Sequence, residues 1–398
     1  MVSITSNLIT LAAILAYIET AIAVKAYDKI SFTNVGFAGT YFPVKKLEHI
    51  TDEKKCTCEV AEAKWFSGIN APLSEYLSVH FRGPLTLNKF AFYSSPSFVI
   101  NNNRTSSDWT RGAYYDADSK STENVTFLTK AGENSPCLGK ALAYAGSDGL
   151  TKASEATVLA KNALISSGKE YTIYSNVSCP SSGVSNGCGV YRKGIPAFYG
   201  FGGITKMFLF EFEMPTETEK NSTSIEYFDM PAIWLLNDHI ARTSQYPTNA
   251  NCSCWASGCG EFDIFEVMNG TERNNLYSTF HTFQGIEDLG TGIQSYGYIP
   301  RDTNGVMRGG VIFDSNGDTI TFLSNDTTFD STYSAGDVSK LLSDISKEDT
   351  YSSQLMTISR TAPSTTSKNL AVSFKFLPSG IWYYLFSCAT ALVQAIFI

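Results

Sequence analysis

The chain has 398 residues, 43% hydrophobic and only 17% charged, with 21 Tyr and 26 Phe, so it can build a sizeable core and is not globally disordered. Its formal net charge of −8, without a run of five basic residues, excludes a nucleic-acid phosphate backbone as partner, since that contact needs clustered Lys and Arg. No segment of about 20–50 residues repeats, which argues against a propeller or solenoid.

The chain opens on an apolar run, Leu8 to Ile18, of signal-peptide length and too short to span a bilayer. Ala21 and Ala23 suit a cleavage site, so residues 1–23 are expected to be a signal peptide, although the run is not preceded by Lys or Arg. Setting aside Cys388 in the C-terminal tail leaves Cys56, Cys58, Cys137, Cys179, Cys188, Cys252, Cys254 and Cys259. An even set in an oxidising compartment predicts four disulfides, whose connectivity the sequence leaves open. One residue separates Cys56 from Cys58 and Cys252 from Cys254, so each of these is expected to bond elsewhere. The same short spacers, with only four His in the chain, argue against a zinc site, and neither metal nor cofactor is expected. Asn-X-Ser/Thr sequons at Asn103, Asn124, Asn176, Asn221, Asn251, Asn269 and Asn325 suit a glycosylated secretory protein.

Residues 24–130 read as a cysteine-containing β segment that contributes strands to a sandwich, notably within Leu77 to Pro96. Residues 131–362 are expected to supply the rest of that sandwich. Ser154 to Ser167 has a weak helical pattern. Thr205 to Pro215 alternates, with Phe208, Phe210 and Phe212 on one face and Leu209, Glu211 and Glu213 on the other, the two acids expected toward solvent or the outer sheet. Leu276 to Gly285 alternates in the same way. A clearer helix begins at Asp337 as N-cap, with Val338, Leu341, Leu342 and Ile345 at helical spacing. After the small, polar stretch Thr361 to Asn369 comes a spacer, then an apolar tail from Ile381 to the last residue. That order, over 363–398, is the order of a GPI-attachment signal; an ordinary single-pass anchor is the other reading. Many short strands with few helices predict an all-β, disulfide-bonded jelly-roll sandwich.

The chemistry concentrates in CWASGCGEFDIFEVMNG, Cys254 to Gly270. In a regular strand Glu261 and Asp263 share a face and Glu266 takes the other. A β-bulge would swing Glu266 round to join them, leaving Phe262 and Ile264 for the core. Two carboxylates about 5–5.5 Å apart across a glycosidic bond equip a retaining glycosidase, one as nucleophile and one as acid/base. Asp263 between them would orient the nucleophile and separate the two pKa values. The competing reading is a solvated edge strand or a cation site, which the intervening Phe, Ile and Phe do not favour.

GEFDIFE resembles the E-[hydrophobic]-D-x-x-E motif of glycoside hydrolase family 16, and MPAIWLLND (Met230 to Asp238) resembles that family's strand bearing a sugar-stacking Trp. YSTFHTFQG is similar to the strand that follows the motif, with its cleft-lining aromatic and His residues. Two longer stretches, CTCEVAEAKWFSGINAPLSEYLSVHFRGPL and SQYPTNANCSCWASGCGEFDIFEVMNG, resemble the fungal target-of-SBF-like wall glycoproteins, also called circularly permuted 1,3-β-glucanases. The likeness covers nearly the whole mature chain. It implies a concanavalin-like jelly-roll, circularly permuted because Leu85 to Pro96 looks like a strand that family-16 chains place last. It also implies Glu261 as nucleophile, Asp263 as helper and Glu266 as acid/base. Trp234 would be a sugar platform, where a lone strand Trp is by default core. His281 reads equally as a structural residue or a substrate contact, and Trp255 as packing or cleft wall. The function implied is cleavage, with or without re-joining, of cell-wall β-1,3-glucan by a secreted protein on the outer face of the plasma membrane or in the wall. A non-catalytic glucan-binding wall glycoprotein is the alternative. The expected partners are β-glucan and a GPI lipid, and no protein partner can be inferred.

Overall fold

A computed structural model describes residues 24–220, 225–239 and 249–362. The expected signal peptide, the sequon at Asn221 and the C-terminal attachment signal lie outside the described residues. Alternating apolar residues set the strands of the two main sheets. In chain order these are β1 (Lys29–Thr33), β2 (Leu77–Arg82), β3 (Thr86–Ser94), β4 (Trp109–Asp116), β5 (Thr126–Thr129), β6 (Glu170–Tyr174) and β7 (Lys206–Glu213). They continue as β8 (Ala232–Asn237), β9 (Glu261–Glu266), β10 (Asn275–His281), β11 (Met307–Phe313), β12 (Thr319–Leu323) and β13 (Thr350–Gln354).

Hydrogen bonding arranges them as two nine-stranded sheets, ordered β4-β3-β7-β11-β12-β1-β13 and β5-β6-β2-β8-β9-β10, each completed by short edge pieces. Strands from either side of residue 130 share both sheets. The result is an all-β, jelly-roll-like sandwich. β1 lies between β12, antiparallel to it, and β13, parallel to it. Between the sheets, Phe208, Phe210 and Phe212 of β7 meet Phe81, Ile233, Leu235, Phe262 and Phe280 in the main core. Burying each such side chain is worth about 1.5–3 kcal/mol.

The opposite face of β7 is covered as well. Met207 and Leu209 pack with Ile312 and Phe322 under α1 (Ala335–Asp344), which presents Val338 and Leu342. Glu211 on that face is not free in solvent but buried between Arg308, at 2.7 Å, and Lys89, at 3.4 Å. The cap of α1 is Ser334 rather than Asp337. Ser334 accepts from the Asp337 N–H, and Asp337 accepts in return from the Ser334 N–H, a reciprocal capping box that starts the helix earlier than the apolar spacing alone indicates. The helix expected over Ser154 to Ser167 is absent. Ile165 instead exchanges two 3.0 Å backbone hydrogen bonds with Leu85, and burial of Leu159 and Ile165 in the main core outweighs local helical preference.

Four disulfides join Cys56 to Cys137, Cys58 to Cys252, Cys179 to Cys188 and Cys254 to Cys259. The closely spaced cysteines therefore each bond elsewhere, as their spacing requires. Two of these bridges tie the hairpin of Val44–Glu48 and Thr57–Val60 to distant segments, one of them the turn just before β9.

Candidate active site

β9 is central to its sheet, flanked by β8 and β10. Glu261 lies opposite Leu236 and His281, and Asp263 opposite Trp234 and Thr279. The register then shifts on both sides, and Glu266 is opposite Ala232 and Tyr277. This is a β-bulge: Ile264 and Phe265 both turn into the core, Phe265 against Phe212 with ring centroids 5.3 Å apart. One extra residue thus brings Glu266 to the face that carries Glu261 and Asp263.

Each acid has an assigned neighbour. The Trp255 indole N–H donates to Glu261 Oε2 at 2.5 Å. His281 Nε2 meets Asp263 Oδ2 at 2.8 Å, and its Nδ1 bonds the carbonyl of Leu289, which fixes the ring. Arg82, reaching across from β2, donates to Glu266 Oε1 at 2.9 Å and to the Met230 carbonyl at 2.7 Å.

Burial governs the charges. Glu261 and Asp263 are 2% and 3% exposed, while Glu266 is half-buried. Burial, then the Asp263 charge, raises Glu261 well above the ordinary carboxylate range, opposed by His281 and the Trp255 N–H. The same two causes push Glu266 up to about 7, against the pull of Arg82. Burial alone would favour neutral His281, but the Asp263 carboxylate prevails and raises it to about 10. Burial and the Asp263 charge thus favour the protonated form of both glutamates, while the His281 imidazole and the Arg82 guanidinium favour their ionised forms.

Trp234 sits on the acid face and is 3% exposed, stacked on His80 at 5.1 Å. Phe37, Tyr41 and Phe66 cluster with it, and Trp255 packs against the same group. Arg82 and His80 were not singled out from sequence, yet the signal was there. They stand two apart on β2, alternating with Val79 and Phe81, so a buried strand carries a guanidinium and an imidazole on one face; burial holds His80 well below its ordinary pKa and so neutral. Of the sequons, Asn103, Asn176, Asn251, Asn269 and Asn325 are exposed, and Asn124 is half-buried with its amide donating to the Gly112 carbonyl. Among the described residues, no group of three or more His, Cys, Asp or Glu is placed to hold a metal ion.

Two family profiles match: "Cell wall protein YJL171C/Tos1, N-terminal" over residues 28–95 and its C-terminal counterpart over residues 107–341. The chain is 67% identical over 374 residues, 94% of either chain, to a Saccharomyces cerevisiae protein named "probable circularly permuted 1,3-beta-glucanase YJL171C". A Candida albicans protein of the same description, PGA52, is 54% identical over 86% of this chain and 88% of its own. The S. cerevisiae protein TOS1, likewise so described, is 32% identical over 79% of this chain and 90% of its own. No solved structure matches the chain. Matched over residues 28–95 and 107–341, the chain belongs to the YJL171C/Tos1 family of cell wall proteins.

Proposed function

We propose that the protein is a retaining glycosidase acting on β-1,3-glucan of the fungal wall, by hydrolysis or by transfer to another glucan chain. The observation that carries this reading is the bulge in β9, which gathers Glu261, Asp263 and Glu266 on one face beside Arg82, His281 and Trp255. The relatives' names supply the substrate class. In the first step Glu266 gives its proton to the glycosidic oxygen as the Glu261 carboxylate attacks the anomeric carbon. The leaving sugar departs and a glycosyl-enzyme remains. Glu266, now a carboxylate, takes a proton from water or from a sugar hydroxyl, which attacks the anomeric carbon and frees Glu261. Asp263, tied to His281, orients the acids and makes it costly for both glutamates to be charged at once.

The test is the contrast between the glutamates. Glu261→Gln abolishes turnover of every substrate. Glu266→Gln still reacts with an activated aryl glycoside, accumulates glycosyl-enzyme, and is rescued by azide, which needs no base. Asp263→Asn is damaging without being absolute. Glucan processing that survives both glutamate changes would sink the reading. The burial of Glu261 and Asp263 favours the alternative, a wall glycoprotein that binds glucan without cleaving it. Mass spectrometry of β-1,3-gluco-oligosaccharides incubated with the ectodomain separates the two, and transfer products separate transglycosylation from hydrolysis.

The same reading places the mature protein outside the cell, glycosylated at the sequons and held by a GPI lipid. Deleting Ile381 to Ile398 is then expected to release soluble protein, and a GPI-specific phospholipase to release the full-length form. Protein resistant to the phospholipase and still carrying those residues would contradict the anchor.

A further inference from the structure

Glu266 is more open to solvent than Asp263. Its side chain is 16% exposed, against 5% for Asp263. Beside it stands Tyr227, 38% exposed, with the Arg82 guanidinium 4.3 Å from the ring centroid. Arg82 therefore contacts both the carboxylate and the ring, and one side of the ring remains for something else.

The loop that presents Tyr227 is held in an unfavourable backbone. Tyr227 has φ 55°, in the left-handed region that a bulky residue avoids, and Asp229 has φ 54°, which a short Asp side chain tolerates. Such conformations persist only where the surroundings over-determine them, and they cluster at functional sites. Here the restraint is Arg301, a fully buried side chain that pairs with Asp229 Oδ1 at 2.8 Å and donates to the carbonyls of Met214 and Arg273. The Met230 N–H closes a turn onto the Tyr227 carbonyl at 3.1 Å, and Arg82 holds the Met230 carbonyl in turn. An aromatic ring kept this firmly, yet partly in solvent, is not explained by core packing. A pyranose ring, with its apolar C–H face, is a ligand that such a rigid, half-open aromatic surface fits.

We propose that Tyr227 is the stacking platform for the sugar on the leaving-group side of the scissile bond, a β-linked glucopyranose unit laid on the ring surface that Arg82 does not cover. The side assignment rests on the reading of Glu266 as acid/base: a proton donor stands at the glycosidic oxygen, and the sugar beyond it, away from Glu261, is the one that leaves.

The experiment is a calorimetric titration of the intact ectodomain with a β-1,3-gluco-oligosaccharide, together with turnover of that oligosaccharide and of an aryl glycoside. Tyr227→Ala is expected to weaken oligosaccharide binding about tenfold, and Tyr227→Phe, which keeps the ring, to recover most of that loss. The fall in kcat/KM should be larger for the oligosaccharide than for the aryl glycoside, whose leaving group carries no sugar. Unchanged binding in Tyr227→Ala overturns the proposal, and so does a loss in Tyr227→Phe as large as in Tyr227→Ala. An equal penalty for both substrates also overturns it, because the ring would then act through Arg82 and Glu266 rather than on sugar. A parent protein that binds through Tyr227 but cleaves nothing defeats the enzyme reading and the side assignment, not the platform. One that cleaves while Tyr227→Ala binds normally defeats the platform alone.

Discussion

Within the six residues of β9, three carboxyl groups lie beside two basic side chains, Arg82 and His281. Arg82 opposes the rise of Glu266, so replacing it shifts the balance toward the protonated acid. Arg82→Leu is expected to move the alkaline limb of the kcat/KM profile above its parent position near 7 and to cost at least about tenfold in rate. Arg82→Lys, which keeps the charge but not the fork, should shift the limb less. A limb that stays in place would mean that Glu266 is not the group being read. The same raised pKa has a consequence for stability. A carboxyl held near 7 when folded, against 4.5 ordinarily, contributes stability that is complete below 4.5 and lost as pH rises through 7. Glu266→Gln should therefore gain on the parent in Tm above pH 7, by about 2–6 °C, and show little gain at pH 4. Equal Tm differences at both pH values would contradict it. The three acids were legible in sequence because carboxylates are rare in apolar runs. Arg82 left only a weak trace, a basic residue in an apolar strand, and Tyr227 none, since its neighbours are brought to it only by the fold.

At the scale of elements, period-2 alternation announced β7, and the chemistry of the acids required the bulge before any register was known. Local pattern failed at Ser154 to Ser167, where a bridge to Leu85 decides the conformation. It also misplaced the start of α1, because a cap is chosen by backbone direction and not by apolar spacing. Ser334→Ala should cost about 1 kcal/mol. Asp337→Ala should cost less, since it removes only the returning half of the box. Thermal unfolding of the two variants measures the difference, and an Asp337 effect exceeding that of Ser334 would restore Asp337 as the principal cap.

For the whole molecule, the spacing of the cysteines showed which pairs could not form, but the partners depend on sheet order. The bridge from Cys58 to Cys252 closes a separation of 194 residues, whereas that from Cys254 to Cys259 closes 5. In the loop-entropy account the long bridge contributes about 4–5 kcal/mol and the short one much less. Replacing Cys58 and Cys252 together by Ser should lower Tm by more than replacing Cys254 and Cys259, unless the loss of the Trp255 turn adds a local cost. Comparing aryl glycoside turnover below Tm exposes that local cost.

The position of β1 between β12 and β13 has a consequence for how the chain is made. β1, the first of the described strands, has no partner until Thr319–Leu323 of β12 has been made. Its neighbours form only by closing nearly the longest loop available, and such closures are slow. β1 therefore stays unpaired through most of the synthesis of the described residues. While it waits, Lys29–Thr33 is a strand without a partner on either side. A chain ending before Thr350 would still pair β1 with β12 but would leave the other side of β1 bare as the sheet edge in place of β13, and pairing of that edge with other chains is the expected result.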